Sequence, residues 1–272
     1  MTRRSTAVIG APCWIDLLTA DPQRSRDFYT KLMGWTADEP DEAHGGYFIF
    51  KRDGVMVAGC MGRQEGMQGP PQDAWSIYLA VTDARRTLET ATAHGATVAV
   101  PAMDVDDLGT MGMVIDPAGA AIGLWQPGVH QGFGIVYEPG GPAWFELHTT
   151  QYEASLDFYR TVFGCTLQPM DTPGFRYSVM QQGEEQLGGV MDDSQFAPAG
   201  TPAYWLLYLA AADTDATLAQ VRELGGTVTR EAEDTPYGRM ASVTDPTGAT
   251  FNVIGPNKAA ATPAGAAQGT AS

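Results

Sequence analysis

The residues best suited to chemistry lie at alternate positions of one short segment, at Trp144, Glu146 and His148. In a β-strand, alternation places all three side chains on one face of the sheet. A carboxylate and an imidazole in that arrangement can exchange a proton near neutral pH, and an indole beside them offers a flat apolar surface. The segment therefore predicts a site that holds a small molecule and can move a proton.

An earlier segment repeats this pattern without the imidazole. Trp14 and Asp16 have the spacing of the later tryptophan and glutamate, whereas Leu18 occupies the position of His148. The histidine is thus the conspicuous difference between the two segments and the better single candidate for function. The predicted catalytic residues are Glu146, His148 and Asp16.

A structural role for the two acids is the alternative. A carboxylate that faces the interior is costly to bury unless it is paired or used. Asp16 and Glu146 could accept hydrogen bonds from loop backbone N–H groups, or they could pair with an arginine such as Arg176 or Arg239. An acid in both segments favours the structural role, because such roles survive duplication easily, but both interpretations stay open at this point.

Both segments belong to a duplication that covers almost the whole chain. Landmarks recur after 130 residues, and after 129 residues near the end of each copy. They include the Asp-Phe-Tyr triplets at 27–29 and 157–159 and the Asp-Pro-x-Gly turns at 116–119 and 245–248. This period is too long for a solenoid repeat, whose units span about 20–50 residues. The duplication therefore predicts two domains with one fold.

The domain boundaries follow from the repeat and from composition. We predict a first domain at 10–127, a linker rich in glycine and proline at 128–141, and a second domain at 142–256. The remaining ends, 1–9 and 257–272, are predicted to be disordered, since the C-terminal tail is rich in Ala, Gly and Thr and lacks aromatic residues.

The residue pattern of each copy predicts two β-α-β-β-β modules. In the first module a strand at Pro12–Thr19 precedes a helix at Arg24–Met33. This helix should end at Gly34, because glycine readily adopts the left-handed conformation of a helix C-cap. A hairpin turn follows at Asp53-Gly54, and the second module has its helix at Ala84–Ala93. The predicted fold class is α+β.

The composition describes an acidic globular protein. The chain has 272 residues, of which 44% are hydrophobic, and a formal net charge of −16. This charge disfavours binding to nucleic acid or an anionic membrane, and no apolar run approaches the roughly 20 residues of a membrane helix.

Cys13, Cys60 and Cys165 lack the spacing of a zinc site or a disulfide framework and are expected to be buried. We therefore expect a cytoplasmic monomer or homodimer.

The combined landmarks resemble the vicinal oxygen chelate superfamily, which includes glyoxalase I, extradiol dioxygenases and bleomycin-sequestering proteins. The first strand, the helix with the Asp-Phe-Tyr triplet and the hairpin with Asp-Pro-x-Gly carry the resemblance, over about residues 10–255. It implies tandem domains of paired βαβββ modules that form curved mixed sheets. The Trp-x-acid-Leu segments further resemble a two-copy actinobacterial subgroup of DnrV-type, hydroxylase-associated proteins.

The resemblance also locates the positions at which metal-using members carry His, Glu or Gln ligands. These positions are Trp14, Ala58, Ser76 and Gly123 in the first copy and Trp144, Gly188, Leu206 and Asn252 in the second. None of them is His or Glu, so we expect no cofactor and no catalytic metal. The alternative is a divalent-metal enzyme with a shifted ligand set of Asp16, Glu146 and His148.

Aromatic and polar side chains on the predicted strands suit a planar ligand. The same aromatic residues could instead belong to an ordinary core. The predicted ligand-binding residues are Trp14, Trp144, Ser76, Tyr78, Tyr208, Asn252 and Trp125.

Together with the resemblance, these residues predict a metal-independent protein of secondary metabolism. It would bind an aromatic, polyketide-like compound and assist or perform its oxygenation or rearrangement, with an oxygenase as partner in the assisting case. Two alternatives stay open. One is a divalent-metal enzyme of glyoxalase or dioxygenase type, and the other is a non-catalytic protein that sequesters a drug for self-resistance.

Overall fold

The computed structural model describes residues 4–64, 73–170 and 174–258. Within these ranges the chain forms two eight-stranded mixed sheets with two helices each, which confirms the predicted α+β fold of paired βαβββ modules. The first domain comprises β1 (Pro12–Thr19), α1 (Pro22–Met33), β2 (Thr36–Ala37), a short 3-10 helix (Glu42–His44), β3 (Phe48–Arg52), β4 (Val55–Gly62), β5 (Ala74–Ala80), α2 (Ala84–Ala93), β6 (Thr97–Val105), β7 (Gly109–Ile115) and β8 (Ala121–Pro127).

The second domain repeats this element order. Its elements are β9 (Pro142–Thr149), α3 (Tyr152–Phe163), β10 (Leu167–Met170), β11 (Tyr177–Gln182), β12 (Glu185–Asp192), β13 (Tyr204–Ala210), α4 (Thr214–Glu223), β14 (Thr227–Thr235), β15 (Gly238–Thr244) and β16 (Thr250–Gly255). Gly34 and Gly164 cap α1 and α3 in the left-handed conformation, as predicted. None of the helices described is long and apolar enough to span a membrane.

In each sheet, the two modules are joined by the strands that come first and fifth in chain order. In the first domain the strand order is β2-β3-β4-β1-β5-β8-β7-β6, so the four strands of each module stay together and β1 pairs antiparallel with β5. The second domain repeats this order as β10-β11-β12-β9-β13-β16-β15-β14. The Trp-x-acid segments therefore lie on β1 and β9, near the middle of each sheet.

The two faces of each sheet have different roles. Strand register places Ile15, Leu79 and Leu124 on the face that α2 covers, and all three are fully buried. Alternation directs Trp14 and Asp16 to the opposite side, which we call the inner face. The second domain repeats this division.

The three cysteines are free and buried, as expected. Burial raises the pKa of the Cys165 thiol to about 12, and it raises the pKa values of Cys13 and Cys60 further. Because the thiolate is the nucleophilic form of cysteine, these residues belong to the core and not to a reactive site.

Two buried tyrosines connect the domains reciprocally. Tyr29 of α1 donates its hydroxyl hydrogen to Oδ2 of Asp245, in the second domain's Asp-Pro-Thr-Gly turn, at 3.0 Å. Tyr159 of α3 donates to Oδ2 of Asp116, in the first domain's Asp-Pro-Ala-Gly turn, at 2.9 Å. The Asp-Phe-Tyr triplet of each copy thus meets the Asp-Pro-x-Gly turn of the other copy. We call these two contacts the domain latches.

Neighbouring groups complete both latches. Trp75 and Trp205 donate their indole N–H groups to the hydroxyls of Tyr29 and Tyr159, at 3.0 and 2.9 Å. Oδ1 of each latch aspartate accepts backbone N–H groups of its own turn. Burial, reinforced by the aspartate, raises the pKa of each tyrosine well above its usual value. Both hydroxyls therefore stay protonated donors at neutral pH.

The N-terminal segment contacts the second domain. The Arg4 guanidinium pairs with Glu185 and lies over the Tyr137 ring, 5.7 Å from its centre. The backbone N–H of Arg4 also donates to the carbonyl of Gly134. Residues 4–9 of the segment expected to be disordered thus include defined contacts, whereas 1–3 and 259–272 lie outside the described residues.

Loss of a latch hydroxyl should destabilise the protein. Tyr29→Phe or Tyr159→Phe should each lower the free energy of unfolding by about 1–3 kcal/mol, because an indole N–H and a buried aspartate oxygen lose their partner. Urea unfolding followed by tryptophan fluorescence measures the change. The control is Tyr237→Phe, at an exposed tyrosine. An equal loss in the control would show that the latches have no special weight.

Candidate functional site

Glu146 lies at the centre of the second domain's inner face. Together with Trp144 and His148 it pairs in register with alternate residues of β13, so all three side chains share one face, as alternation predicts. The Glu146 carboxylate accepts three hydrogen bonds. They come from the Tyr177 hydroxyl at 2.6 Å, the Tyr208 hydroxyl at 2.8 Å and His148 Nε2 at 2.9 Å.

The arginines considered as structural partners are engaged elsewhere. Arg176 pairs with Asp192 at 2.6 Å, and Arg239 pairs with Asp215 at 2.7 Å. Neither of these two arginines is therefore the partner of Glu146. In the part of the chain described, this carboxylate is satisfied by two phenol hydroxyls and one imidazole.

His148 lies between two carboxyl groups. Its Nε2 faces Glu146, and its Nδ1 lies 3.0 Å from Oδ1 of Asp193, in the turn after β12. The turn is closed by backbone N–H groups of Phe196 and Ala197, which donate to the Asp193 carbonyl. The imidazole also stacks on Tyr204, with ring centres 4.9 Å apart and planes within 5°. Both ring nitrogens therefore have acceptors, which is the arrangement of a protonated imidazole.

The ionisation of the pair follows from these contacts. Burial alone disfavours the charged imidazole, but Glu146 and Asp193 outweigh it and raise the pKa of His148 above its usual 6.5. Burial likewise disfavours the Glu146 carboxylate, but His148 and the two tyrosines hold its pKa below the usual 4.5. Between about pH 4.5 and 6.5 the site is thus an ionised carboxylate hydrogen-bonded to an imidazolium.

Asp16 occupies the corresponding position in the first domain with different partners. Its Oδ1 accepts hydrogen bonds from Trp14 Nε1 and from the Tyr47 hydroxyl, each at 2.9 Å. Leu18 stands where the second domain has its histidine, and no cation among the described residues pairs with Asp16. Burial raises the pKa of Asp16, and hydrogen bonds from Tyr47, Trp14 and Tyr78 oppose this only in part. Equivalent positions therefore carry acids whose pKa values are shifted in opposite directions.

Glycines on the inner face make room for the tyrosines. A Cβ added to Gly59 would lie 1.9 Å from the Tyr47 hydroxyl oxygen, and one added to Gly189 would lie 1.9 Å from the Tyr177 hydroxyl oxygen. Each of these glycines is in register with the acid of its own domain. Because each glycine lacks a side chain, the phenol can occupy that space and reach the carboxylate.

These glycines correct two of the predicted ligand positions. The sequence placed them at Ala58 and Gly188, but Ala58 is fully buried and Gly188 abuts the backbone of Phe145. The inner-face residues are the next ones along, Gly59 and Gly189. The positions taken from the resemblance are thus one residue off, and an offset of one residue moves a strand side chain to the opposite face. The hairpin before each position carries a register shift, which such landmarks do not reveal.

The residues present do not fit the catalytic metal of metal-using relatives. Glycine stands at the inner-face position of β4 and β12, and a ligand side chain there would overlap a tyrosine. The alternative set of Asp16, Glu146 and His148 does not converge, since Asp16 belongs to the first sheet and the other two to the second. Across 4–64, 73–170 and 174–258, no group of three His, Cys, Asp or Glu side chains has the geometry of a metal site.

The last strand of each domain carries the other diagnostic position. At Gly123, a Cβ would lie 2.2 Å from Cδ1 of Tyr78, so the tyrosine ring fills that space. Asn252 of the second domain is 7% exposed and hydrogen-bonds Tyr208, but its Oδ1 has no partner among the described residues. A buried acceptor of this kind is costly unless a ligand or water supplies a donor.

The predicted ligand-binding residues all lie on inner faces, but in two domains and not around one centre. The structure therefore offers two related sites of different chemistry. The first-domain set is Trp14, Ser76, Tyr78 and Trp125, and the second-domain set is Trp144, Tyr208 and Asn252.

Several site residues escaped the sequence prediction. Tyr47 and Tyr177 lie 130 residues apart, so the repeat itself contained the signal that pairs them. His130 was assigned only to the linker, yet it packs against Trp14. Asp193 carries no such signal, because Arg63 stands at its position in the first copy.

The pKa of His148 tests the three-residue arrangement. It should exceed 6.5, and Glu146→Gln or Asp193→Asn should each lower it, because each removes a group that favours the protonated ring. NMR of the imidazole Cε1–H signal against pH measures the shift. Glu184→Gln, at an exposed acid, should leave it unchanged. A pKa unaffected by either site variant would refute the assignment.

The same pair should shape stability against pH. Folding raises the pKa of His148 and lowers that of Glu146, so their contribution should be complete between about pH 4.5 and 6.5. It should decline as the pH rises through the raised histidine value or falls through the lowered glutamate value. Urea unfolding of wild type and Glu146→Gln, within this range and on both sides of it, measures the difference. A difference that does not change with pH would contradict the prediction.

A side chain at Gly189 should expel Tyr177 from the site. Gly189→Ala should destabilise the protein by about 1–3 kcal/mol, because the new Cβ overlaps the phenol. In the double variant Gly189→Ala with Tyr177→Ala, the overlap is gone, so the cost should be less than the sum of the single costs. Additive costs would show that the two groups do not compete for this space.

Comparison with known families agrees with this geometry. The family model described as the Glyoxalase/Bleomycin resistance protein/Dioxygenase superfamily matches residues 13–124 and 141–253, one match in each domain. Among solved structures, the Mn(II)-bound glyoxalase from Novosphingobium aromaticivorans superimposes with a TM-score of 0.63 at 12% identity, covering 91% of this chain and 82% of that one. At that identity the likeness concerns the fold alone.

Two relatives are similar over nearly their whole length. CFP32 of Mycobacterium tuberculosis is 38% identical over 264 residues, covering 94% of this chain and 98% of the relative. The anthracycline biosynthesis protein DnrV of Streptomyces peucetius is 37% identical over 259 residues, covering 90% and 93%. With a family match in both domains and relatives of this similarity, the chain belongs to the glyoxalase/bleomycin resistance protein/dioxygenase superfamily.

Proposed function

We propose that this protein binds an aromatic, polyketide-like compound of secondary metabolism on the inner face of the second domain. There it moves a proton of the compound without a metal, and so assists or performs its oxygenation or rearrangement. The observation that carries the proposal is the Glu146–His148–Asp193 arrangement at the centre of that face. In the oxygenation case a partner oxygenase supplies the oxidant.

The site has the parts that a proton transfer needs. The side chains of Glu146 and His148 are 13% and 15% exposed, so the pair is shielded but not sealed. Glu146 can take a proton from a ligand carbon next to a carbonyl group. As Glu146 becomes protonated it releases the Tyr177 or Tyr208 hydroxyl, which then donates a hydrogen bond to the ligand oxygen that becomes negative. Burial and Glu146 raise the pKa of both tyrosines above the usual value, so they act as donors and not as bases.

The surroundings favour a planar ligand that carries hydroxyl groups. Tyr204 stacks on His148 and is 46% exposed, so aromatic surface remains open beside the pair. Asn252 Oδ1, buried and without a partner among the described residues, is an acceptor for a ligand hydroxyl. The site is rich in acceptors and the protein carries a net charge of −16, which disfavours an anionic ligand.

The relatives support the metabolic setting. The name of DnrV places that protein in the biosynthesis of anthracyclines, which are aromatic polyketides. CFP32 carries a provisional glyoxylase name, and glyoxalases belong to the matched superfamily. Proton transfer next to a carbonyl group is chemistry that fits both settings.

Purified protein should contain less than about one tenth of an equivalent of Zn, Fe, Ni or Mn, because a ligand side chain at Gly59 or Gly189 would overlap a tyrosine. Elemental analysis after expression in metal-supplemented medium measures this. One equivalent of any of these metals, retained through dialysis, would contradict the metal-free part of the proposal.

A phenolic ketone tests the proposed chemistry directly. With 8-hydroxy-1-tetralone as probe, wild type should show tryptophan quenching and should accelerate exchange of the hydrogens next to the carbonyl for deuterium, followed by NMR. Glu146→Gln and His148→Asn should retain quenching but slow the exchange by about 100-fold or more. Glu184→Gln, an exposed acid, is the control.

Three outcomes decide the proposal. Absence of quenching by the probe would refute the aromatic ligand. Quenching without catalysed exchange would refute the proton transfer and favour the sequestering alternative. Loss of folding in Glu146→Gln, seen as an altered circular dichroism spectrum, would show that the acid is structural.

A further inference from the structure

Among the described residues of the first domain and the linker, His130 is the buried polar side chain that no hydrogen bond explains. It is 9% exposed, and neither ring nitrogen has a hydrogen-bond partner among the described residues. The backbone around it is firmly held, since its N–H donates to the Leu108 carbonyl at 3.0 Å and its carbonyl accepts the Trp125 indole N–H at 2.9 Å. The ring is thus fixed in place with two polar atoms unused.

The His130 ring lies against the inner-face tryptophans of the first domain. Its centre is 4.4 Å from that of Trp14, edge to face, and 5.4 Å from that of Trp125. Burial lowers the pKa of His130 to about 4, so at neutral pH the ring is uncharged and offers one donor and one acceptor. Trp14 in turn donates to Asp16, so an unused imidazole and a carboxyl group contact the same indole.

An ion pair joins two loops that contact this region. His44 pairs through Nδ1 with Asp41 at 2.7 Å and through Nε2 with Asp106 at 3.1 Å. His44 precedes Tyr47, whose hydroxyl reaches the inner face, and Asp106 belongs to the turn whose Leu108 holds His130.

The two residues of this bridge are not repeated in the second copy. Gly174 and Pro236 stand where the first copy has His44 and Asp106, so neither can form the same ion pair. The first domain therefore differs from the second in this ion pair as well as in the leucine that replaces the histidine beside the acid.

We propose that the first domain holds a second ligand site, in which one uncharged aromatic molecule bearing a hydroxyl or carbonyl group hydrogen-bonds His130 and contacts Trp14 and Trp125. Asp16 is the second polar group within reach of that molecule. The choice of an aromatic ligand rests on the proposed function, but the site itself is separate from Glu146 and His148.

Binding stoichiometry tests the second site. Calorimetry and native mass spectrometry with 8-hydroxy-1-tetralone should find two molecules per chain in wild type. His130→Leu should reduce this to one, because the uncharged polar partner is lost. Leu206→Trp, which fills the inner face opposite Glu146, should also leave one, and its counterpart Ser76→Trp should act like His130→Leu.

The outcomes separate this inference from the proposed function. One molecule per chain that His130→Leu leaves bound would overturn the second site and leave the function proposed for the second domain standing. If wild type binds one molecule, and this molecule is lost in His130→Leu but kept in Leu206→Trp, the second site would stand. The function proposed for the second domain would then be overturned. Two molecules in every variant would refute the role of His130.

A spectroscopic measurement covers the case in which a variant fails to fold. In wild type labelled with ¹⁵N-histidine, the His130 ring nitrogens should shift when the probe is added. Nitrogen signals that the probe leaves unchanged would mean that an interior water alone satisfies the ring, and would overturn the proposal.

Discussion

Buried carboxyl groups, and the donors they require, govern this structure. A carboxylate removed from water is costly unless several hydrogen bonds replace its hydration. Asp116 and Asp245 obtain theirs from their own turns and from a tyrosine of the other domain, so neither turn is complete without its neighbour. The requirement that shapes a local turn therefore also fixes how the two copies associate, and with them the relation between the two inner faces.

The same requirement explains how the inner faces diverged. Asp16 and Glu146 occupy equivalent positions, and each is served by a tyrosine that passes over a glycine. What differs is the third group, since the second domain adds His148 and, behind it, Asp193. The imidazolium stabilises an ionised glutamate, whereas the aspartate without it has a raised pKa. A histidine in place of a leucine, with Asp193 behind it, thus accompanies opposite pKa shifts of the two equivalent acids.

Local signals in the sequence predicted the fold well and the site only in part. Repeat landmarks, capping glycines such as Gly34 and strand alternation act over a few residues, so the elements and the inward direction of Glu146 could be predicted. Ala58 was placed on the wrong face, because a register shift in a hairpin leaves no mark in composition. Asp193 could not be predicted either, since it reaches His148 only through the turn after β12.

The glycines show how the family fold can persist with different residues at the centre of its inner faces. In metal-using members the inner face needs side chains that reach its centre, and here Gly59, Gly123 and Gly189 withdraw them. Tyrosines from neighbouring strands fill the space and deliver hydroxyl groups to the acid. Oriented hydroxyls can stabilise a developing negative charge on a ligand oxygen, which is also one effect of a bound cation. With glycine at these positions, the inner face therefore stays polar, because tyrosine hydroxyls occupy the space.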